Sequence, residues 1–122
     1  MKVLVVDDSS TMRRIISNSL QSLGVPLEIT EAEDGNDGFT KYMASPDFEL
    51  VLSDWNMPNC NGLEFLQKVV ATGKGTPVIM VTTEAEKTNV ITAIKAGAKN
   101  YITKPFTPDI LAGKIKQTLG LK

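Results

Sequence analysis

Val3-Leu4-Val5-Val6-Asp7-Asp8 sets an unbroken apolar run against two neighbouring carboxylates. A short, wholly apolar run of this kind predicts a strand buried on both faces. A second run, Leu50-Val51-Leu52, leads through Ser53 to Asp54, and a third strand-like segment, Tyr101-Ile102-Thr103, leads into Lys104-Pro105. Strand ends that carry acids and a lysine can meet on one rim of a parallel sheet. Three carboxylates gathered there repel one another unless a cation joins them. At an effective dielectric of about 20, two like charges roughly 5 Å apart cost about 3 kcal/mol. The cluster therefore predicts a metal site.

Outward from these runs, strand and helix patterns alternate along the whole chain. Thr11 to Leu23 sets Met12, Ile15, Ile16, Leu20 and Leu23 at helical spacing, with Ser9 or Ser10 as N-cap. Leu27 to Glu31 alternates apolar and polar residues, as a half-exposed strand does. Phe39, Tyr42 and Met43 form a helical stripe after Gly35, and Leu63, Leu66, Val69 and Val70 form another that stops at Gly73-Lys74-Gly75. Val78 to Val81 is wholly apolar. Ile91 and Ile94 are expected to face inward from a helix closed by Gly97. Leu111, Ile115 and Leu119 mark the last helix, where Gly113 costs roughly 1 kcal/mol relative to Ala.

Five strands alternating with five helices predict a single-domain α/β fold of the doubly wound, flavodoxin-like type. The strands after Lys2, Glu49 and Pro77 are apolar on both faces and belong at the centre. Those at Leu27 and Tyr101 are mixed and belong at the edges. A five-stranded parallel sheet in the order 2-1-3-4-5 satisfies both conditions. Right-handed crossovers then place the first and last helices on one face, with helices on both faces of the sheet. In that order the crevice between strands one and three is the topological switch point, where ligands bind at the carboxyl ends. Asp7, Asp8 and Asp54 fall at those ends.

Composition narrows the chemistry. The 122 residues suit one domain over 1–122, and 42% hydrophobic content suffices for a packed interior. A formal net charge of −1 offers no broad field for nucleic acid or an anionic membrane. No apolar stretch approaches the roughly 20 residues that span a bilayer, and no secretory signal is evident, so a cytoplasmic location is expected. Cys60 is the one cysteine, in a Pro/Asn/Gly-rich loop, and is expected to be an ordinary reduced thiol. The chain has no histidine, which removes His-based zinc sites, Ser-His-Asp catalysis and a phosphohistidine role. What remains is carboxylate, lysine and hydroxyl chemistry around a hard cation. Mg²⁺ suits such donors and keeps waters that phosphate oxygens replace. A carboxylate beside it is a nucleophile toward phosphorus, giving an acyl phosphate, with lysine neutralising the phosphoryl oxygens. A hydroxyl of Thr82 or Thr83, at the end of the fourth strand, is placed to contact the same group.

The segments Val5-Val6-Asp7-Asp8-Ser9-Ser10-Thr11-Met12-Arg13-Arg14, Asp54-Trp55-Asn56-Met57-Pro58, Val81-Thr82-Thr83-Glu84 and Lys104-Pro105-Phe106 resemble the receiver domain of two-component response regulators. The likeness covers essentially the whole chain. The Asp-Asp, Asp and Lys-Pro elements are common to receivers. The Ser-Thr-Met-Arg-Arg and Asp-Trp-Asn-Met-Pro strings are similar to the single-domain chemotaxis branch.

The resemblance implies a stand-alone response regulator in which Asp54 accepts a phosphoryl group from a sensor histidine kinase of the CheA type. Asp8, Asp54 and the backbone carbonyl of Asn56 would hold Mg²⁺, with Mn²⁺ as a substitute, and Asp7 would support the ion through water. Lys104 would pair with the phosphoryl group, its bond to Pro105 being cis. Thr82 and Tyr101 would act as the switch, and Asn56 and Glu84 would tune the lifetime of the acyl phosphate. Val90, Tyr101 and Lys114 would meet a flagellar motor switch protein of the FliM type. Trp55 is exposed in the family and would report metal binding by its fluorescence. A dedicated phosphatase and a monomeric state are also implied. Such a protein is an enzyme only in assisting its own phosphorylation and dephosphorylation.

Asn61, Cys60, Thr103, Pro108 and Gly113 depart from the family's usual residues without touching the phosphorylation chemistry. A phosphorelay intermediate or phosphate sink would carry the same site. An aspartyl-phosphate phosphohydrolase would need Asp-x-Asp on one strand and a cap domain, where this chain has Asp54-Trp55-Asn56. A flavodoxin-like electron carrier would need a Ser/Thr/Gly-rich phosphate loop after the first strand.

Overall fold

The carboxyl end of every strand points to the same rim, because all five strands of the sheet run parallel. A computed structural model describes residues 1–45, 47–83 and 89–121. In chain order the elements are β1 (Lys2–Val6), α1 (Ser10–Leu20) with a 3₁₀ turn over Gln21–Leu23, β2 (Glu28–Ala32), α2 (Gly35–Ala44), β3 (Leu50–Asp54), α3 (Gly62–Ala71), β4 (Val78–Thr83), α4 (Val90–Ala96), β5 (Asn100–Lys104) and α5 (Pro108–Leu119). The sheet order is β2-β1-β3-β4-β5, as the strand chemistry predicts.

The alternation of side chains divides the core in two. Val3, Val5, Leu50, Leu52, Ile79, Val81 and Ile102 face α1 and α5, where Ile16, Leu20, Leu111 and Ile115 meet them. Leu4, Val6, Val51 and Met80 face the opposite way, onto Tyr42, Phe65, Leu66, Val69 and Ala93 of α2, α3 and α4. Burying a large aliphatic or aromatic side chain is worth roughly 1.5–3 kcal/mol, so the two sheet faces dominate the stability. No helix among the described residues is long and apolar enough to cross a membrane.

Helix starts follow their capping residues. Ser9, not Ser10, caps α1, its Oγ accepting from the Met12 N–H at 3.2 Å. Asn61 caps α3 and forms a reciprocal box with Glu64, so the departure from the family's residue at 61 keeps the capping function. Pro108 occupies the first turn of α5, where a missing N–H costs nothing.

The helical stripes require correction at several positions. Ile91 and Ile94, expected inward, are exposed, and Ala93 is the buried residue of α4. Ala93 lies one helical turn from both the half-buried Val90 and the half-buried Ala96, so a stripe of smaller residues faces the core. Ile15, Met43 and Val70 also lie exposed at the margins of their stripes, while Phe65, absent from the expected stripe of α3, is fully buried. The C-terminal part of the first helical stretch tightens into the 3₁₀ turn that carries Leu23 into the core.

Candidate functional site

Strand register brings the acids together. Val6 pairs with Ser53, so the next residues along, Asp7 and Asp54, emerge side by side. Asp54 pairs with Val81, which places Thr82 one step beyond, and Thr83 pairs with Lys104 on the neighbouring strand. Asp7, Asp8 and Asp54 each present a carboxylate oxygen within 4.8 Å of the others. Asp7 and Asp54 are buried, and Asp8 is exposed on the solvent side.

The Lys104 ammonium lies 3.2 Å from Asp7 Oδ2 and 3.2 Å from Asp54 Oδ1. The Lys104-Pro105 bond is cis, as the resemblance implies. The Trp55 N–H donates to Asp54 Oδ1 at 2.8 Å and the Ser9 N–H to Asp7 Oδ1 at 2.9 Å. One lysine therefore serves two buried carboxylates. Burial pushes the Asp54 carboxyl up from 3.8 to about 6, Lys104 pulls it back, and the neighbouring Asp7 raises it again. Burial works against the Lys104 ammonium too, yet Asp54 and Asp7 together outweigh it and hold its pKa above 10.5. Burial is the main cause of the Asp54 shift and the two acids that of the Lys104 shift, and three carboxylates within reach of one ammonium leave the cluster with uncompensated negative charge.

That deficit is the test of whether a cation fits. Three carboxylates within reach of one another, one of them open to solvent, match the all-oxygen, partly hydrated coordination of a hard divalent ion. Among the described residues no other group of three or more His, Cys, Asp and Glu side chains comes together in this way.

The remaining predicted residues fall around this centre. Thr82 is buried beyond the acids, its hydroxyl donating to the Thr83 carbonyl at 2.9 Å. Asn56 is exposed, two residues after Asp54 in the β3–α3 loop. Glu84 lies outside the described residues. Trp55 is half-buried against the core rather than exposed, because the loop folds its ring back onto that cluster. Tyr101 is also half-buried, and Lys114 holds its Nζ 4.8 Å from the Tyr101 ring centroid, a cation–π contact across β5 and α5. Val90 is half-buried at the start of α4. Cys60 is buried and free, and burial raises its pKa, which fits an inert thiol.

Two neighbours of the site carry no sequence signal strong enough to single them out. Arg13 donates from Nη1 to the Asp7 carbonyl at 2.6 Å and from Nε to Glu31 at 2.9 Å, tying the Asp7-Asp8 turn to β2. Gly62 packs directly under the acceptor loop, its N–H donating to the Trp55 carbonyl at 2.8 Å. A Cβ there would lie 2.2 Å from the Asp54 carbonyl oxygen and 2.8 Å from Trp55 Cα. Gly62→Ala should therefore cost roughly 1–3 kcal/mol, read by urea denaturation, and should shift Trp55 emission as the strand end moves.

A doubly wound parallel domain with an acidic cluster and a lysine at its switch point is the architecture of a receiver. The chain belongs to the response regulator receiver domain family, whose model matches residues 3–116. It is similar to chemotaxis protein CheY1 of Helicobacter pylori strain J99, 52% identical over 122 residues and covering 98% of each chain. The CheY homologue of Campylobacter jejuni strain 81-176 is also 52% identical, over 98% of this chain and 93% of that protein. Among solved structures, chemotaxis response regulator CheY4 of Vibrio cholerae matches with a TM-score of 0.86 and 34% identity, over 97% of this chain and 98% of that one. A receiver domain protein of Clostridium thermocellum matches with a TM-score of 0.88 and 28% identity, over 98% and 94% of the two chains.

Proposed function

We propose that this protein is a stand-alone, phosphorylation-activated response regulator of chemotaxis, working in the cytoplasm. The observation that carries the reading is the undercompensated carboxylate cluster at the switch point, in which Asp54 is buried beside one lysine. Above pH 6 Asp54 is ionised and basic for a carboxylate, which suits a nucleophile. The Trp55 N–H and the Lys104 ammonium both engage Oδ1, and we assign attack on phosphorus to Oδ2. The new bond joins Oδ2 to phosphorus as the bond from phosphorus to the kinase imidazole nitrogen breaks. The imidazole leaves with its electron pair and takes up a proton.

Asp8, Asp54 and the Asn56 carbonyl would hold Mg²⁺, with Mn²⁺ as a substitute and Asp7 reaching the ion through water. When bound, the ion neutralises charge on the transferring group. Lys104, released from Asp54 Oδ1 as that carboxylate becomes an acyl phosphate, turns its ammonium to the phosphoryl oxygens. Thr82 rotates its hydroxyl from the Thr83 carbonyl toward the same oxygens, and Tyr101 moves into the space so vacated. Asn56 and Glu84 tune attack by water, so catalysis is limited to the protein's own phosphorylation and dephosphorylation.

The similarity to proteins named CheY supports a histidine kinase of the CheA type as donor and a flagellar motor switch protein of the FliM type as output partner. A dedicated phosphatase would reset a monomeric protein. Val90, Tyr101 and Lys114 form the proposed contact surface, and the exposed Ile91 and Ile94 add apolar area on α4. Capture experiments with and without a beryllofluoride mimic of the phosphoryl group test this output. A purified motor switch protein should bind at least about tenfold tighter with the mimic, a difference of 1.4 kcal/mol. Recovery of a histidine-phosphotransfer protein alone would instead make the chain a relay intermediate.

A further inference from the structure

The β3–α3 loop, residues 55–61, is held from outside as well as by Gly62. The Asn59 side-chain amide donates to Asp34 Oδ2 at 3.0 Å, and the Gly35 N–H donates to the Cys60 carbonyl at 3.1 Å. Asp34 is the N-cap of α2, with Oδ1 accepting from the Asp37 N–H at 2.8 Å. Its carboxylate is nearly buried, and its pKa is held below 3.8 by the Asp37 N–H and the Asn59 amide, against the effect of burial. Asn59 is the only described non-glycine residue with positive φ, at 66°. A Cβ on Gly35 would lie 2.5 Å from the Cys60 carbonyl oxygen and 2.6 Å from its Sγ, so the two turns meet backbone to backbone.

We propose that Asp34 and Asn59 form a latch that positions the β3–α3 loop, and through it sets the affinity of the acidic centre for a divalent cation. The inference rests on the proposed use of the Asn56 carbonyl as a ligand. Asn59 stands three residues from Asn56, so a hydrogen bond that fixes residue 59 also narrows the directions open to the carbonyl at 56. Asp34 is thus a positioning residue, acting through Asn59 and touching neither ion nor phosphoryl group. The bond is charge-assisted and shielded on the Asp34 side, which makes it stronger than a surface amide pair. Partners hydrogen-bonded directly to a ligand typically change metal affinity by about 10–100-fold when removed, and a latch one step further out is expected at the low end of that range.

Asn59→Gly removes the amide while easing the left-handed backbone, so loss of function is not confounded by strain. Asp34→Asn combined with Asn59→Asp restores the bond with its polarity reversed and keeps an oxygen to cap α2. Calorimetric titration with Mg²⁺ should show about tenfold weaker binding for Asn59→Gly and recovery to within about twofold for the swapped pair. Cys60 supplies a second readout, being buried at the seam of the latch. Its alkylation by N-ethylmaleimide should accelerate in Asn59→Gly at a rate independent of low urea, the mark of local opening. Equal Mg²⁺ affinity in parent and Asn59→Gly, or alkylation that rises only with global unfolding, would overturn the latch. A parent that binds no Mg²⁺ would instead overturn the functional reading, and the affinity claim with it.

Discussion

Asp54→Asn should make the metal-free protein more stable, by up to about 3 kcal/mol above pH 6. A carboxyl carried by burial from 3.8 to about 6 binds its proton more tightly in the folded chain than in the unfolded one. Folding is therefore favoured while the group is protonated, and that advantage is lost as pH rises through 3.8 to about 6. At about 1.4 kcal/mol per pH unit, the ionised carboxylate opposes folding by about 3 kcal/mol at pH 8. Asparagine keeps the shape and removes the charge. Urea denaturation in chelator at pH 5 and pH 8 should show the parent weakening with pH and the variant nearly flat. Added Mg²⁺ should stabilise the parent through binding to the folded state and leave the variant almost unchanged. A variant less stable than the parent at pH 8 would mean that the Lys104 pairing outweighs burial.

Lys104→Met should act in the opposite direction. The lysine serves Asp7 and Asp54 at once, and its pKa above 10.5 keeps it charged throughout this range. Stripping the cation from buried carboxylates leaves like charges facing each other, a loss of roughly 3 kcal/mol at pH 8. Below pH 6 Asp54 takes up a proton and the loss should shrink. In the double variant with Asp54→Asn the two effects should not add, since each removes part of the same interaction. Urea midpoints of the four proteins at pH 5 and pH 8 complete the cycle, and strict additivity would separate Lys104 from the cluster.

The sheet and its charged rim are legible in the sequence because both rest on strong local signals. Val3–Val6, Leu50–Leu52 and Val78–Val81 have no polar face to turn to water, so they occupy the centre, and parallel register does the rest. The α4 helix is less legible. Residues 91 and 94 and residues 90, 93 and 96 are both helical stripes, and bulk favours the isoleucines. The smaller stripe faces the core, where Ala93 is buried in the cluster that α3 also lines, and the isoleucines stay in water. Ile15 and Val70 repeat the lesson at helix margins, where large apolar residues remain half in water. The polar ties around the site have no periodicity at all. Arg13 reaches the Asp7 carbonyl and Asn59 reaches Asp34 only once the loops are in place, and the need for glycine at 62 is set by the Asp54 carbonyl beneath it.

Mass spectrometry after incubation with acetyl phosphate reports whether Asp54 is a cation-dependent phosphoryl acceptor. With Mg²⁺ the parent should gain the mass of one phosphoryl group, mapped to the peptide that contains Asp54. Chelator should abolish the gain, and Asp54→Asn should show none. Equal labelling in chelator, or labelling of Asp54→Asn to the level of the parent, would contradict the assignment.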